Sequence, residues 1–125
     1  MSHFTTIRTE LRDKEALKKA LADLGYAVRE GALHARGYGG QTTPVELLVP
    51  QEGGYDFGFR KAGDVYELVA DFWGLKLDQQ RFVPQLTQRY AFHTIVDTTA
   101  QQGWNVAQQE QQQDGTIRVV VQRWR

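Results

Sequence analysis

Two pentapeptides echo each other across the chain: Leu24-Gly25-Tyr26-Ala27-Val28 near the start and Gln102-Gly103-Trp104-Asn105-Val106 near the end. Each follows a stretch with helical spacing and reads glycine, aromatic, any residue, valine. A glycine that closes a helix and an aromatic that turns back onto it hand the chain to a buried strand. A chain carrying this device twice is expected to be built of two related β-α-β-type halves, an internal pseudo-repeat within one domain. The echo constrains architecture and says nothing of chemistry.

A length of 125 residues suits a single α+β domain spanning residues 1–125, with one core. Fifteen Lys and Arg balance fifteen Asp and Glu, so binding to nucleic acid would need a local patch rather than a global field. The absence of cysteine excludes disulfides, thiolate metal sites and cysteine nucleophiles. No apolar run approaches the roughly 20 residues that cross a bilayer, so no membrane insertion is expected. Met1-Ser2-His3-Phe4-Thr5 lacks the basic and apolar segments of a secretory signal.

Along the chain, Phe4–Thr9 reads as a first strand. Asp13 stands at a helix N-cap, and Ala16, Leu17, Ala20, Leu21 and Leu24 form one apolar stripe closed by Gly25. Tyr26–Glu30 reads as a strand and Gly31–Thr43 as a glycine-rich loop enclosing at most a short strand. Val45–Val49, Tyr55–Lys61 and Val65–Trp73 follow as three strands with turns at Gly53-Gly54 and Gly63-Asp64. A second helix spans about Asp78 to Gln102, with a kink or restart expected at Pro84. Trp104–Gln112 and Thr116–Trp124 pair across Asp114-Gly115. The order β-α-β-β-β-β-α-β-β predicts an antiparallel or mixed sheet with two helices on one face. The expected core is ferredoxin-like with an inserted hairpin.

Four constellations could carry function. Arg36-Gly37-Tyr38-Gly39-Gly40-Gln41 offers flexible backbone and a cation for an anion, but it lacks the phosphate-loop ending and also reads as a tight turn. On the second helix, Arg89, Tyr90, His93 and Asp97 share one half of the surface at about 100° per residue. Asp97 lies one turn after His93, a spacing at which a carboxylate orients an imidazole; a hydrogen-bonded core histidine is the plainer reading. Phe92 and Ile95 face partly elsewhere, as a contact strip would. Tyr55, Phe57 and Phe59 could stack single-stranded RNA or simply form a core face. In the last strand, Ile117, Val119 and Val121 oppose Val120 and Trp124, so both faces call for cover. His3 and His34 are remote from His93, and Ser2 is the sole serine; no metal ligands or catalytic residues are assigned, and no cofactor is expected.

Several segments together resemble one family. They are Ser2-His3-Phe4, Arg36-Gly37-Tyr38 with Gln41, Tyr66-Glu67-Leu68-Val69-Ala70-Asp71, and Gln88-Arg89-Tyr90-Ala91-Phe92-His93. Asp114-Gly115-Thr116-Ile117-Arg118 running into Gln122-Arg123-Trp124 completes the set. The chain is similar, over nearly its whole length, to the hypothetical chloroplast reading frame thirty-five family of cyanobacteria and algal plastids, a domain of unknown function. The resemblance implies a cytoplasmic or stromal location. Through relatives outside photosynthetic organisms it also implies an association with AAA-type ATPases.

The leading expectation is a non-catalytic binding or adaptor module, self-associating or part of a protein complex. Its interface residues would be Phe92, Ile95, Val120 and Trp124. The rival is a ligand-binding or enzymatic site drawn from Arg36, Tyr38, Gln41, Asp71, Arg89, Tyr90 and His93. Single-stranded RNA binding comes third.

Overall fold

A computed structural model of the chain describes residues 4–101, 104–111 and 117–123, with side chains placed for 4–100, 117 and 118. The elements are β1 (Thr5–Arg8), α1 (Lys14–Asp23), β2 (Arg29–Arg36), β3 (Thr42–Val49), β4 (Phe57–Ala62), β5 (Val65–Ala70), α2 (Gln79–Gln101), β6 (Trp104–Gln111) and β7 (Ile117–Arg123). A short 3-10 turn, Tyr38–Gly40, lies between β2 and β3.

Both ends of α1 are written locally. Asp13 Oδ1 accepts from the amides of Glu15 and Ala16 at 2.9 and 3.2 Å, filling donors that the first helical turn leaves open. At the far end Gly25 takes φ +90°. Its amide donates to Ala22 O, and the Tyr26 amide donates to Leu21 O, both at 3.0 Å. This is the double-bonded glycine cap, and it explains why an aromatic follows the glycine. The Tyr26 ring returns to the core, edge-on to Phe57 and Phe82 at centroid distances of 5.3 and 5.6 Å. Tyr26 is therefore a core plug, and the strand expected from Tyr26 begins only at Arg29.

The five-stranded sheet runs β1-β5-β4-β3-β2, and every described pairing is antiparallel. β1 and β2 occupy opposite edges, so α1 crosses the intervening strands on one face, beside α2. Between helices and sheet lies the main core: Leu17 and Leu21 from α1, Phe82 and Leu86 from α2, and Leu47, Phe57, Phe59 and Leu68 from the sheet. Each such side chain contributes about 1.5–3 kcal/mol on burial. β1 and β2, joined through α1, flank the three antiparallel strands β5, β4 and β3, while β6 pairs with β7 in a separate two-stranded sheet.

Three further expectations change. The segment Gly31–Thr43 is mostly strand, with β2 extending to Arg36 and β3 starting at Thr42. Helix α2 is continuous through Pro84 rather than restarting there. Asp78 caps it through Gln80 N at 3.1 Å, and burial of Phe82 and Leu86 on either side of the proline offsets the one backbone bond that Pro84 cannot make. Phe57 and Phe59 lie wholly inside, so the aromatic row considered for RNA stacking is core. The Asp114-Gly115 turn, Trp124 and the Val120 side chain lie outside the described residues.

The part of the sheet's second face around Leu48, Gly58 and Val69 is covered by the chain's own β2–β3 hairpin. β3 pairs with β4 only from Leu47 to Val49, and β2 carries a register break between Glu30 and Leu33 beside Gly31, at φ +139°. Beyond that break the hairpin bends back across the sheet. Ala35, Val45, Leu48 and Val69 form a second, smaller buried cluster there, with Phe4 and Leu33 packed against it. Gly58 in β4 permits the approach: a Cβ at this position would lie 2.7 Å from Val45 Cγ1 and 2.8 Å from Leu47 O. We call this folded-back segment, residues 33–45, the strap.

Candidate functional site

The tip of the strap lands on two buried carboxylates. Arg36 donates from Nε and from its backbone N–H to Asp56 Oδ2 at 2.9 and 3.0 Å, and from Nη2 to Oδ1 at 2.9 Å. Gln51 N adds a bond to Oδ1 at 3.1 Å, and the Asp56 amide donates to Arg36 O at 3.0 Å. Burial pushes the Asp56 carboxyl up, but the Arg36 side chain and the two backbone donors outweigh it and hold the group below its ordinary range.

Asp71, just past β5, is fully buried. Its Oδ2 accepts from Tyr38 N at 2.9 Å and its Oδ1 from Trp73 N at 3.1 Å. One carboxylate thus pins the backbones of two aromatics that are distant in sequence. Their rings meet edge to face, centroids 5.5 Å apart at 87°, while Trp73 remains 71% exposed and Tyr38 43%. Gly37 lets the tip descend, since a Cβ there would lie 2.7 Å from the Phe4 ring. Gln41 closes the turn by accepting from Gly37 N at 2.8 Å through its backbone oxygen. Its side-chain Oε1 is buried without a hydrogen-bond partner among the described residues.

The helical group forms a different site, on the other face of the sheet. His93 Nε2 lies 2.6 Å from Asp23 Oδ2, and Arg89 donates to the same oxygen from Nε and Nη2, both at 2.8 Å. Burial raises the Asp23 carboxyl, and the bonds from His93 and Arg89 reverse this and leave it lowered. Asp97, expected to orient His93, pairs instead with Lys19 at 3.4 Å. Tyr90 turns away from both: its Oη accepts from Arg12 N and Asp13 N at 3.0 and 2.8 Å, bracing the start of α1. Asp23, Leu24, Gln85, Gln88 and Arg89 line a cleft of about 420 Å³. Phe92 is 8% exposed and packed inside, whereas Ile95 remains 44% exposed.

Arg36, Tyr38, Gln41 and Asp71 thus come together, while Arg89 and His93 form a second cluster and Tyr90 a brace. Asp56, Asp23 and Trp73 are the participants that sequence reasoning missed. A charge between two large aromatics, as in Tyr55-Asp56-Phe57, is the one local signal that marked Asp56. Among the described residues no group of three or more His, Asp or Glu side chains is placed to hold a metal. No described helix is long and apolar enough to cross a membrane.

Comparison with known proteins places this architecture. Residues 20–120 match the family described as "Protein of unknown function (DUF1257)". The chain belongs to this family. The DUF1257 chain is also 39% identical to "Uncharacterized protein ycf35" of Cyanophora paradoxa, covering 100% of this chain and 99% of the relative. It is 36% identical to proteins of the same description from Pyropia yezoensis, over 99% of this chain and 98% of the relative, and from Guillardia theta, over 100% and 99%. The resemblance read from the sequence is thereby shown, with its plastid and cyanobacterial-type distribution. No solved structure matches this DUF1257 chain.

Proposed function

We propose that this DUF1257 member is a non-catalytic protein-recognition module of a cyanobacterial or plastid-type cell, acting in the cytoplasm or stroma. Its contact surface is centred on Tyr38 and Trp73. The observation that carries the reading is the exposed edge-to-face pair whose two backbones are anchored on buried Asp71. Exposed tryptophan and tyrosine on a fixed backbone lose little entropy on docking, and such residues dominate interface energetics, at about 2 kcal/mol or more each. The ionisable groups considered for catalysis are engaged in holding the fold: Arg36 with Asp56, Asp71 with two amides, His93 and Arg89 with Asp23. The exposed Ile95 adds a second contact point on α2.

Multi-angle light scattering at micromolar concentration, paired with affinity capture from a native lysate, tests the reading on wild type and Trp73→Ala. Trp73 is mostly exposed, so its truncation leaves the fold intact. The expected result is self-assembly or a captured partner that the variant loses. A wild-type monomer whose captured proteins are indistinguishable from those of the variant overturns it.

A further inference from the structure

We infer that the β2–β3 strap is a separately opening unit, docked on the second face of the sheet, whose closure assembles the Tyr38–Trp73 pair. Tyr38 rides on the strap tip, whereas Trp73 belongs to the loop after β5. Lifting the strap therefore separates the two rings and uncovers Leu48 and Val69. The inference concerns the strap alone and stands whether or not Trp73 meets a partner.

Four observations support it. The strap's seat is the smaller apolar cluster, built on Ala35, Val45, Leu48 and Val69, with no residue from either helix. Its attachment at the tip is polar, through Asp56 and Asp71, and water can replace such bonds when they open. From Thr42 to Glu46, β3 has no ladder with β4 among the described residues, so opening breaks no central pairing. Finally, its root is built to bend. Gly31 holds a positive φ at the register break, and a cleft of about 350 Å³ lies in the elbow, lined by Leu33, Pro44, Val45 and Arg60 among others. Among the described residues Gln41 Oε1 is buried without a hydrogen-bond partner when the strap is closed, and opening exposes it to water. Segments with few apolar contacts and replaceable polar ties open below the global unfolding limit.

Hydrogen exchange of the full chain, read by mass spectrometry, tests the strap in three proteins. In wild type, amides of residues 33–45 exchange faster than those of β4 and β5. Asp56→Asn removes the charge that holds Arg36, and Val45→Ala removes apolar contact from the strap's seat. Each accelerates strap exchange by about tenfold or more while β4 and β5 change far less. The Trp73 indole resonance, identified by its loss in Trp73→Phe, shifts in both strap variants. Strap amides that exchange in step with β4 and β5 in wild type overturn the inference, and that measurement stands even if a variant fails to fold. Acceleration spread evenly over strap and sheet in a folded variant overturns it as well.

Discussion

Arg36 and Asp56 meet in a two-point fork, with Nε on Oδ2 and Nη2 on Oδ1, both at 2.9 Å. The two ends of the fork are not equivalent. Asp56 is fully buried while half of the Arg36 side chain reaches solvent. Removing the arginine leaves a buried anion short of its counter-charge, and this sets the direction of the first expectation.

Arg36→Ala lowers stability by about 2–4 kcal/mol, and Arg36→Lys by less, because lysine keeps a charge but loses the planar fork. Urea unfolding followed by circular dichroism measures both. An Arg36→Lys variant as stable as wild type would show that the fork geometry contributes nothing, and equal costs would show that the charge without the fork contributes nothing.

Acid weakens the fold through identifiable carboxylates. Asp56 and Asp23 sit below their ordinary 3.8 in the folded chain, and Glu30 falls from 4.5 to about 2 through bonds from Lys14 and Lys18. Depressed folded values mean that the stabilisation is fully present above the unfolded pKa and is lost as pH falls through the folded one. The melting temperature therefore holds down to about pH 5 and declines from there towards pH 2. Asp56→Asn starts lower at neutral pH and declines less steeply. A parallel decline in the two proteins would remove Asp56 from the account.

Tyr90 and Asp13 brace the same helix start, so their effects interact. Tyr90→Phe leaves the amides of Arg12 and Asp13 without their acceptor and costs about 1 kcal/mol. Asp13→Ala costs about 1 kcal/mol through the lost cap. In a double-mutant cycle the pair departs from additivity by about 0.5 kcal/mol or more. Strict additivity in thermal denaturation would deny the shared brace.

Phe57 and Phe59 are interior, and the formal charge is balanced. Filter binding to single-stranded RNA at low salt is expected to show no retention that falls with added salt, the signature of phosphate contacts. A steep salt-dependent affinity would restore the nucleic-acid reading.

Elements whose cause is local could be read from the chain alone. Asp13 and Gly25 mark the ends of α1, alternation marks β4 and β5, and the family segments recur in order. Capping bonds and side-chain periodicity act over a few residues, so neighbouring letters suffice to specify them. The strap, the Tyr38–Trp73 pair and the His93–Asp23 contact belong to the tertiary structure. Arg36 finds Asp56 across 20 residues and His93 finds Asp23 across 70, over a bend that no single residue encodes. Expected partners such as Asp97 lost because a helix offers one-turn neighbours in the abstract, while packing against α1 decides which carboxylate the imidazole faces. Local bonds select the elements, but only the burial of two opposed sheet faces selects how they meet.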